Sequence, residues 1–247
     1  MGILFLLLAS SCNVSPKKQE PEDKIKDGVY PLASPVDVFE TIENLKIPYD
    51  YKVLNPEDNV QRYYTDKNKS LNLGVYLTDL AYAATFESKT ELNIYLKYVN
   101  EISGPLDLKI NYNELASIKI DRKKLTTKIT SDISETYATL YLKDIELSAL
   151  FLVGIWVEEL YIASNISNEL SVDDDLVKLI IKEREMLDIL LTVIDKVEDK
   201  SSITESFIGA LGKLQSVYAE ISDRNITEEN IVQIKSTIAS IRESIIY

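Results

Sequence analysis

The sequence predicts an all-α fold: an antiparallel bundle of about eight to nine helices behind a disordered N-terminal tether. Three observations predict it. All seven prolines lie at or before Pro105, and beyond it only Gly154, Gly209 and Gly212 interrupt the chain. A long proline-free stretch favours helices over a turn-rich β fold. Apolar residues recur at three- and four-residue steps, most plainly as Ile231, Ile234, Ile238, Ile241 and Ile245, which is the spacing of one helix face. Serines followed three residues later by an acid stand between the stripes, as capping boxes do at helix starts.

Taken in order, a helix over 35–46 opens on Ser34-Pro35-Val36-Asp37, and Pro35 suits a first helical position. Helices at 57–67 and 70–87 follow. The next, 89–103, opens on Ser88-Lys89-Thr90-Glu91 and closes at Gly104-Pro105. Leu106, Leu108, Ile110 and Tyr112 alternate like a strand, but a lone strand has no partner, so this is an extended connector. A helix at 113–143, broken near Asp121, leads to one at 145–168. Its run from Leu147 to Val157 is apolar enough for the central core helix yet too short to cross a bilayer. Helices at 172–199, 203–222 and 228–246 complete the chain, the first two opening on Ser171-Val172-Asp173-Asp174 and Ser202-Ile203-Thr204-Glu205. Leu176, Ile180, Leu187, Leu190, Ile194 and Val197 form one stripe, with Glu183 breaking the row. Ile203, Phe207, Leu211, Leu214, Tyr218 and Ile221 form another.

Ahead of the bundle, Ile3 to Ala9 is an unbroken apolar run followed by Ser10, Ser11 and Cys12. Leu8-Ala9-Ser10-Ser11-Cys12 resembles the lipobox of bacterial lipoproteins, whose signal is cut before a cysteine that then carries lipid. Two departures stand out: Ala9 occupies a position where leucine is usual, and no basic residue precedes the run. Residues 1–11 are thus expected to be a signal peptide and Cys12 the lipidation site. Residues 12–34 hold three prolines and evenly mixed charge, a composition that acts as a flexible tether. The single all-helical domain is expected over 35–247.

Composition removes several function classes. The chain has 40 acidic and 27 basic residues, a formal charge of −13 and a pI near 4.6. Such a surface repels phosphate backbones, so no nucleic acid partner is expected. There is no histidine and one cysteine, which excludes histidine-based triads, histidine-ligated zinc, disulfides within the chain and CxxC redox chemistry. No cofactor or metal is expected. Asp173-Asp174-Asp175 lacks the spacing of a calcium loop and reads as acids complementing a helix start. Arg184, between Glu183 and Glu185, reads as a solvated charged face.

On a helix over 70–87, Asn72, Tyr76, Asp79, Tyr82 or Ala83, and Phe86 fall on one face by three- and four-residue steps. Phe151, Gly154, Glu158, Tyr161 and Asn165 line up on the 145–168 helix. A mid-helix glycine costs about 1 kcal/mol relative to alanine, so Gly74 and Gly154 mark close helix approach or room for a ligand. The candidate ligand-binding set is Asn72, Tyr76, Asp79, Tyr82, Trp156, Glu158 and Tyr161, with the two acids as anchors and the aromatics as walls. The plainer reading has Asp79 and Glu158 bonded to tyrosines or backbone inside an ordinary core. Nine of the 15 tyrosines lie within residues 49–112, a density suited to sugars or peptides but equally the product of an AT-rich genome.

Two segments, Asn72-Leu73-Gly74-Val75-Tyr76-Leu77-Thr78-Asp79-Leu80-Ala81-Tyr82 and Ala149-Leu150-Phe151-Leu152-Val153-Gly154-Ile155-Trp156-Val157-Glu158-Glu159-Leu160-Tyr161, resemble an uncharacterised family of all-helical lipoproteins from Bacteroidota. The helix order and the isoleucine-rich last helix, ending near Arg242, fit over roughly residues 60–247. The resemblance implies an outer-membrane-anchored helical domain and carries no known activity or catalytic residue. The function expected is therefore that of a lipid-anchored, non-enzymatic envelope protein. It would hold the membrane through Cys12 and bind another envelope protein, a peptide or a sugar. The alternatives are a carboxylate-based hydrolase using Asp79 with Glu158, and a purely structural or assembly role.

Overall fold

Helices form where the chain supplies both a start signal and an apolar stripe. The computed structural model describes residues 34–110, 112, 121–167, 174–221 and 226–247. Eight α-helices lie among them: α1 (Pro35–Asn44), α2 (Asp66–Thr85), α3 (Lys89–Ser103), α4 (Arg122–Lys143), α5 (Ile145–Asn165), α6 (Asp175–Asp195), α7 (Ser202–Ala219) and α8 (Glu228–Ile246). Helix accounts for 81% of the described residues, with no strand among them. The expected signal peptide, Cys12 and the expected tether as far as residue 33 lie outside the described residues.

The start signals differ in detail from the sequence reading. Ser34 and Ser88 do precede α1 and α3, but their hydroxyls donate to the Asp37 and Glu91 carboxylates instead of accepting from the backbone. The cap of α7 is Ser201, one residue before the expected Ser202. Thr65, Asp121 and Asp144 cap α2, α4 and α5 through backbone N–H groups. Thr227 and Asn230 form a full reciprocal box at α8. Asp174 stands at the N-cap of α6 with Asp175 in its first turn, while Ser171 and Asp173 lie outside the described residues.

Two expected helices need correction. Residues 57–67 are not an α-helix: Glu57–Arg62 is a 3₁₀ turn, and α2 starts at Asp66, because Thr65 caps there. The expected 113–143 helix is described only from Arg122, at the break near Asp121, since residues 113–120 lie outside the described set. After α3, Gly104–Leu106 makes a 3₁₀ turn and Asp107 adopts the left-handed conformation, φ 58°. Leu108 and Ile110 follow without regular structure, as expected of a connector.

α5 is the central helix, buried along nearly its whole length, and α1, α2, α4, α6 and α8 all pack on it. Its closest partner is α2, buried from Ser70 to Thr85. Ser70 Oγ donates to the Leu147 carbonyl at 2.7 Å and Thr78 Oγ1 to the Ile155 carbonyl at 3.4 Å. Partner numbers rise together, so α2 and α5 run in the same direction, which their separation by α3 and α4 permits. Gly74 and Gly154 meet at the crossing. A Cβ on Gly154 would sit 1.9 Å from the Leu71 carbonyl oxygen, and one on Gly74 would sit 2.3 Å from that of Phe151. Backbone touches backbone there, so only hydrogen fits. Sequential helices α6 and α7 instead lie antiparallel, Tyr218 donating to the Ile180 carbonyl and Gln215 to Asp188.

Glu146 ties three helix starts together. Its carboxylate pairs with Lys67 Nζ of α2 at 2.5 Å and accepts from Ser201 N at 2.7 Å and Thr204 Oγ1 at 2.6 Å on α7. Burial alone would raise its pKa, but the bonds from Lys67, Ser201 and Thr204 outweigh it and lower the value to about 2. A depressed carboxylate adds stability above its unfolded pKa and loses that share as pH falls towards the folded value. Glu146→Gln should therefore cost about 2 kcal/mol at neutral pH and little near pH 2, measured by urea denaturation at both. Among the described residues no helix is long and apolar enough to cross a membrane.

Candidate functional site

The parallel contact of α2 and α5 brings Asp79 and Glu158 to the same level of the bundle, and α8 closes over them with Arg242. All three are buried: Asp79 and Glu158 are 0% exposed and Arg242 6%. Arg242 grips Glu158 with both ends of its fork, Nε to Oε2 and Nη2 to Oε1, each 2.7 Å. Nη2 also donates to the Val53 carbonyl at 3.2 Å, and the guanidinium carbon lies 4.1 Å from the centre of the Tyr161 ring. A bidentate pair over an aromatic face suits arginine and would not suit lysine.

Residues 49–63 form the fourth wall. Asn55 N donates to Asp79 Oδ2 at 3.2 Å, and the Asn55 carbonyl accepts from Tyr95 Oη of α3 at 2.7 Å. The Asn55 side chain is held between Asn59, 2.9 Å away, and Tyr63, whose hydroxyl reaches the Ile246 carbonyl. Tyr76 Oη meets the Pro56 carbonyl at 3.5 Å. The chain between α1 and α2 is thus fastened to α2, α3 and α8 by its own backbone.

Two acids and one guanidinium leave one negative charge too many for a dry core. Burial first, and the nearby Glu158 charge second, push the Asp79 carboxyl well above its ordinary range, with Arg242 pulling the other way. Both raising effects favour the protonated form of Asp79. A side-chain hydrogen bond shared with Glu158 raises its pKa further, because only a protonated Asp79 can donate to that carboxylate, whereas an ionised Asp79 would leave the buried Oδ1 without a partner. For Arg242, burial opposes the charge, but Glu158 outweighs it through charge and hydrogen bonds.

Five members of the predicted set meet around this cluster. Asp79, Glu158, Tyr76 and Tyr161 surround Arg242 or its neighbours, and Asn72 lies further along α2, donating to the Ile245 carbonyl at 3.2 Å. The other two lie elsewhere. Tyr82 accepts from Asp50 N at 3.0 Å and stacks on Tyr49, with ring centres 4.8 Å apart. Trp156 points to the opposite side of α5 and donates to Glu183 Oε2 at 3.0 Å. That bond corrects the reading of Glu183 as part of a solvated face, since it is 6% exposed. Its place in the apolar stripe of α6 was the better signal.

Arg242, Asn55, Tyr95 and Tyr63 were missing from the predicted set. Arg242 had only a partial signal: it follows Ile238 by four residues beside the isoleucine stripe, a position that Lys235 shares with respect to Ile231. The other three come from segments brought in by tertiary folding. Cavities of about 300 and 630 Å³ lie elsewhere, along α4, lined by residues such as Asp107, Lys109, Lys128 and Glu135. None of the predicted set lines either. Comparison of the chain with protein-family models, with curated proteins and with solved structures finds no match.

Proposed function

We propose that this protein is a lipid-anchored, non-enzymatic helical domain of the bacterial envelope, held to the outer membrane through Cys12 and binding another envelope protein through its outer surface. The observation that carries the surface part is the closure around Glu158. The polar groups with which α2 and α5 would grip a ligand are engaged with Arg242 and with the backbone of residues 49–63. What the bundle can offer a partner is then its exterior, where Tyr51, Tyr64 and Tyr247 are exposed and Arg62 lies over the Tyr247 ring. Exposed tyrosine and arginine are the residue types that anchor protein contacts. The anchoring part rests on the lipobox-like Leu8–Cys12 segment.

Cys12→Ser tests the anchor. The variant should fold but leave the membrane fraction, since stable attachment needs the acyl chains that a lipidated cysteine carries. Equal membrane retention of variant and wild type would reject it. A second reading, a carboxylate hydrolase, draws on the raised Asp79 carboxyl beside Glu158. It requires residues 49–63 to swing away and Arg242 to release Glu158. Loss of a measurable hydrolytic activity in Asp79→Asn, with stability kept, would favour it over the binding role.

A further inference from the structure

Residues 50–56 are held in the bundle the way a bound peptide is held. Asp50, Leu54 and Pro56 are extended, and side chains of three helices reach the main chain between them. Tyr82 and Asp79 of α2 accept from the amides of Asp50 and Asn55 at 3.0 and 3.2 Å. Arg242 of α8, Tyr95 of α3 and Tyr76 of α2 donate to the carbonyls of Val53, Asn55 and Pro56 at 3.2, 2.7 and 3.5 Å. The connectors after α3 and α6 instead turn their amides back on the residues just before. Asp107 and Leu108 donate to Gly104 and Ser103, and Lys196 and Val197 to Val193 and Ile194. Val53, Leu54 and Asn55 are buried, while Tyr51, Lys52 and Pro56 face solvent. Three of the five contacts come from tyrosine hydroxyls, on rings that lose little freedom when they bind.

We propose that α2, α3 and α8 form a peptide-binding groove, which residues 50–56 fill as a built-in pseudo-ligand. The occupant it fits in trans is an extended segment of a partner protein with two adjacent apolar residues in the places of Val53 and Leu54. Main-chain bonds supply the affinity and the apolar pair the selectivity, as in other sites that take extended peptides. The groups gripped are ones that any extended chain carries, so an incoming segment can remake them. The Arg242 pair with Glu158 stays intact during the exchange, and only the Arg242 bond to Val53 changes hands. Covalent attachment gives residues 50–56 a high effective concentration. A partner therefore binds only the fraction of molecules whose own segment is out, and its apparent Kd is the intrinsic value divided by that fraction. This goes beyond the exterior contact proposed above and needs no lipid anchor.

The probe is a fluorescein-labelled peptide of the chain's own residues 49–57, titrated into the full chain and followed by anisotropy. Leu54→Ala weakens the built-in segment by removing a buried side chain, so the variant should bind the peptide at least about ten-fold more tightly than wild type. A peptide carrying alanine in the place of Leu54 should bind several-fold more weakly to the same variant. Hydrogen exchange of the wild type needs no substitution to be tolerated. Its Asp50 and Asn55 amides should exchange at least about ten-fold faster than the slowest amides of α5, and faster again with the peptide present. Exchange of those two amides only at the rate of α5 would overturn the groove. So would the absence of saturable binding to a Leu54→Ala chain of unchanged helix content, or a Leu54→Ala dimer that trades segments between copies and takes up no peptide.

Discussion

Gly154→Ala is expected to destabilise the protein by about 3 kcal/mol, although alanine is the better helix former by about 1 kcal/mol. The added methyl would stand 1.9 Å from the Leu71 carbonyl oxygen and 3.3 Å from Val75 N. These are backbone atoms of α2, so no side chain can swing aside and the two helices must part. Because α5 is the helix on which most others pack, the displacement spreads through the core. Gly209 and Gly212 on α7 supply the internal contrast, since a Cβ on either meets nothing within 4 Å. Alanine at those positions should stabilise by up to about 1 kcal/mol. Chemical denaturation of the variants thus reads opposite signs for one chemical change.

Arg242→Ala is expected to cost about 3–5 kcal/mol, because it strands the Glu158 carboxylate in a dry core and leaves the Val53 carbonyl short of a donor. Asp79→Asn should change stability by less than about 1 kcal/mol, since burial beside Glu158 favours the neutral acid and an amide keeps its shape and a donor for Glu158. Two buried acids on facing helices thus predict very different responses. Thermal and urea unfolding at neutral pH separate them. Comparable large losses from both substitutions would mean that Asp79 is ionised and shares the arginine.

The helices were readable because each is a local event. Spacing of apolar residues and a capping side chain lie within one segment, and the isoleucine stripe of α8 is buried as the pattern requires. The contact at Gly74 and Gly154 could be suspected for the same reason, as both glycines interrupt otherwise regular helical pattern. Boundaries were less legible where rival caps compete: Thr65 won over any start near residue 70, and Ser201 over Ser202. The cluster around Arg242 was half visible. Residues on the faces of α2 and α5 follow from helical geometry, but Asn55 comes from an irregular segment and Tyr95 from another helix. Glu183 and Trp156 show the opposite failure. Its neighbours Arg184 and Glu185 suggest a solvated face for Glu183, but its place in the middle of an apolar stripe decides its burial.

The central claim is that Glu158 and Arg242 form a closed structural tie holding α5, α8 and residues 49–63 together. A double-mutant cycle tests it most directly, using Glu158→Gln, Arg242→Met and the combination, with stability measured by urea denaturation at neutral pH. Each single change should cost about 3 kcal/mol or more by stranding its partner, and the double variant should recover at least about 2 kcal/mol of their sum. Single variants of near wild-type stability whose effects simply add would contradict the tie, and would return Glu158 to the status of a carboxylate free for a ligand.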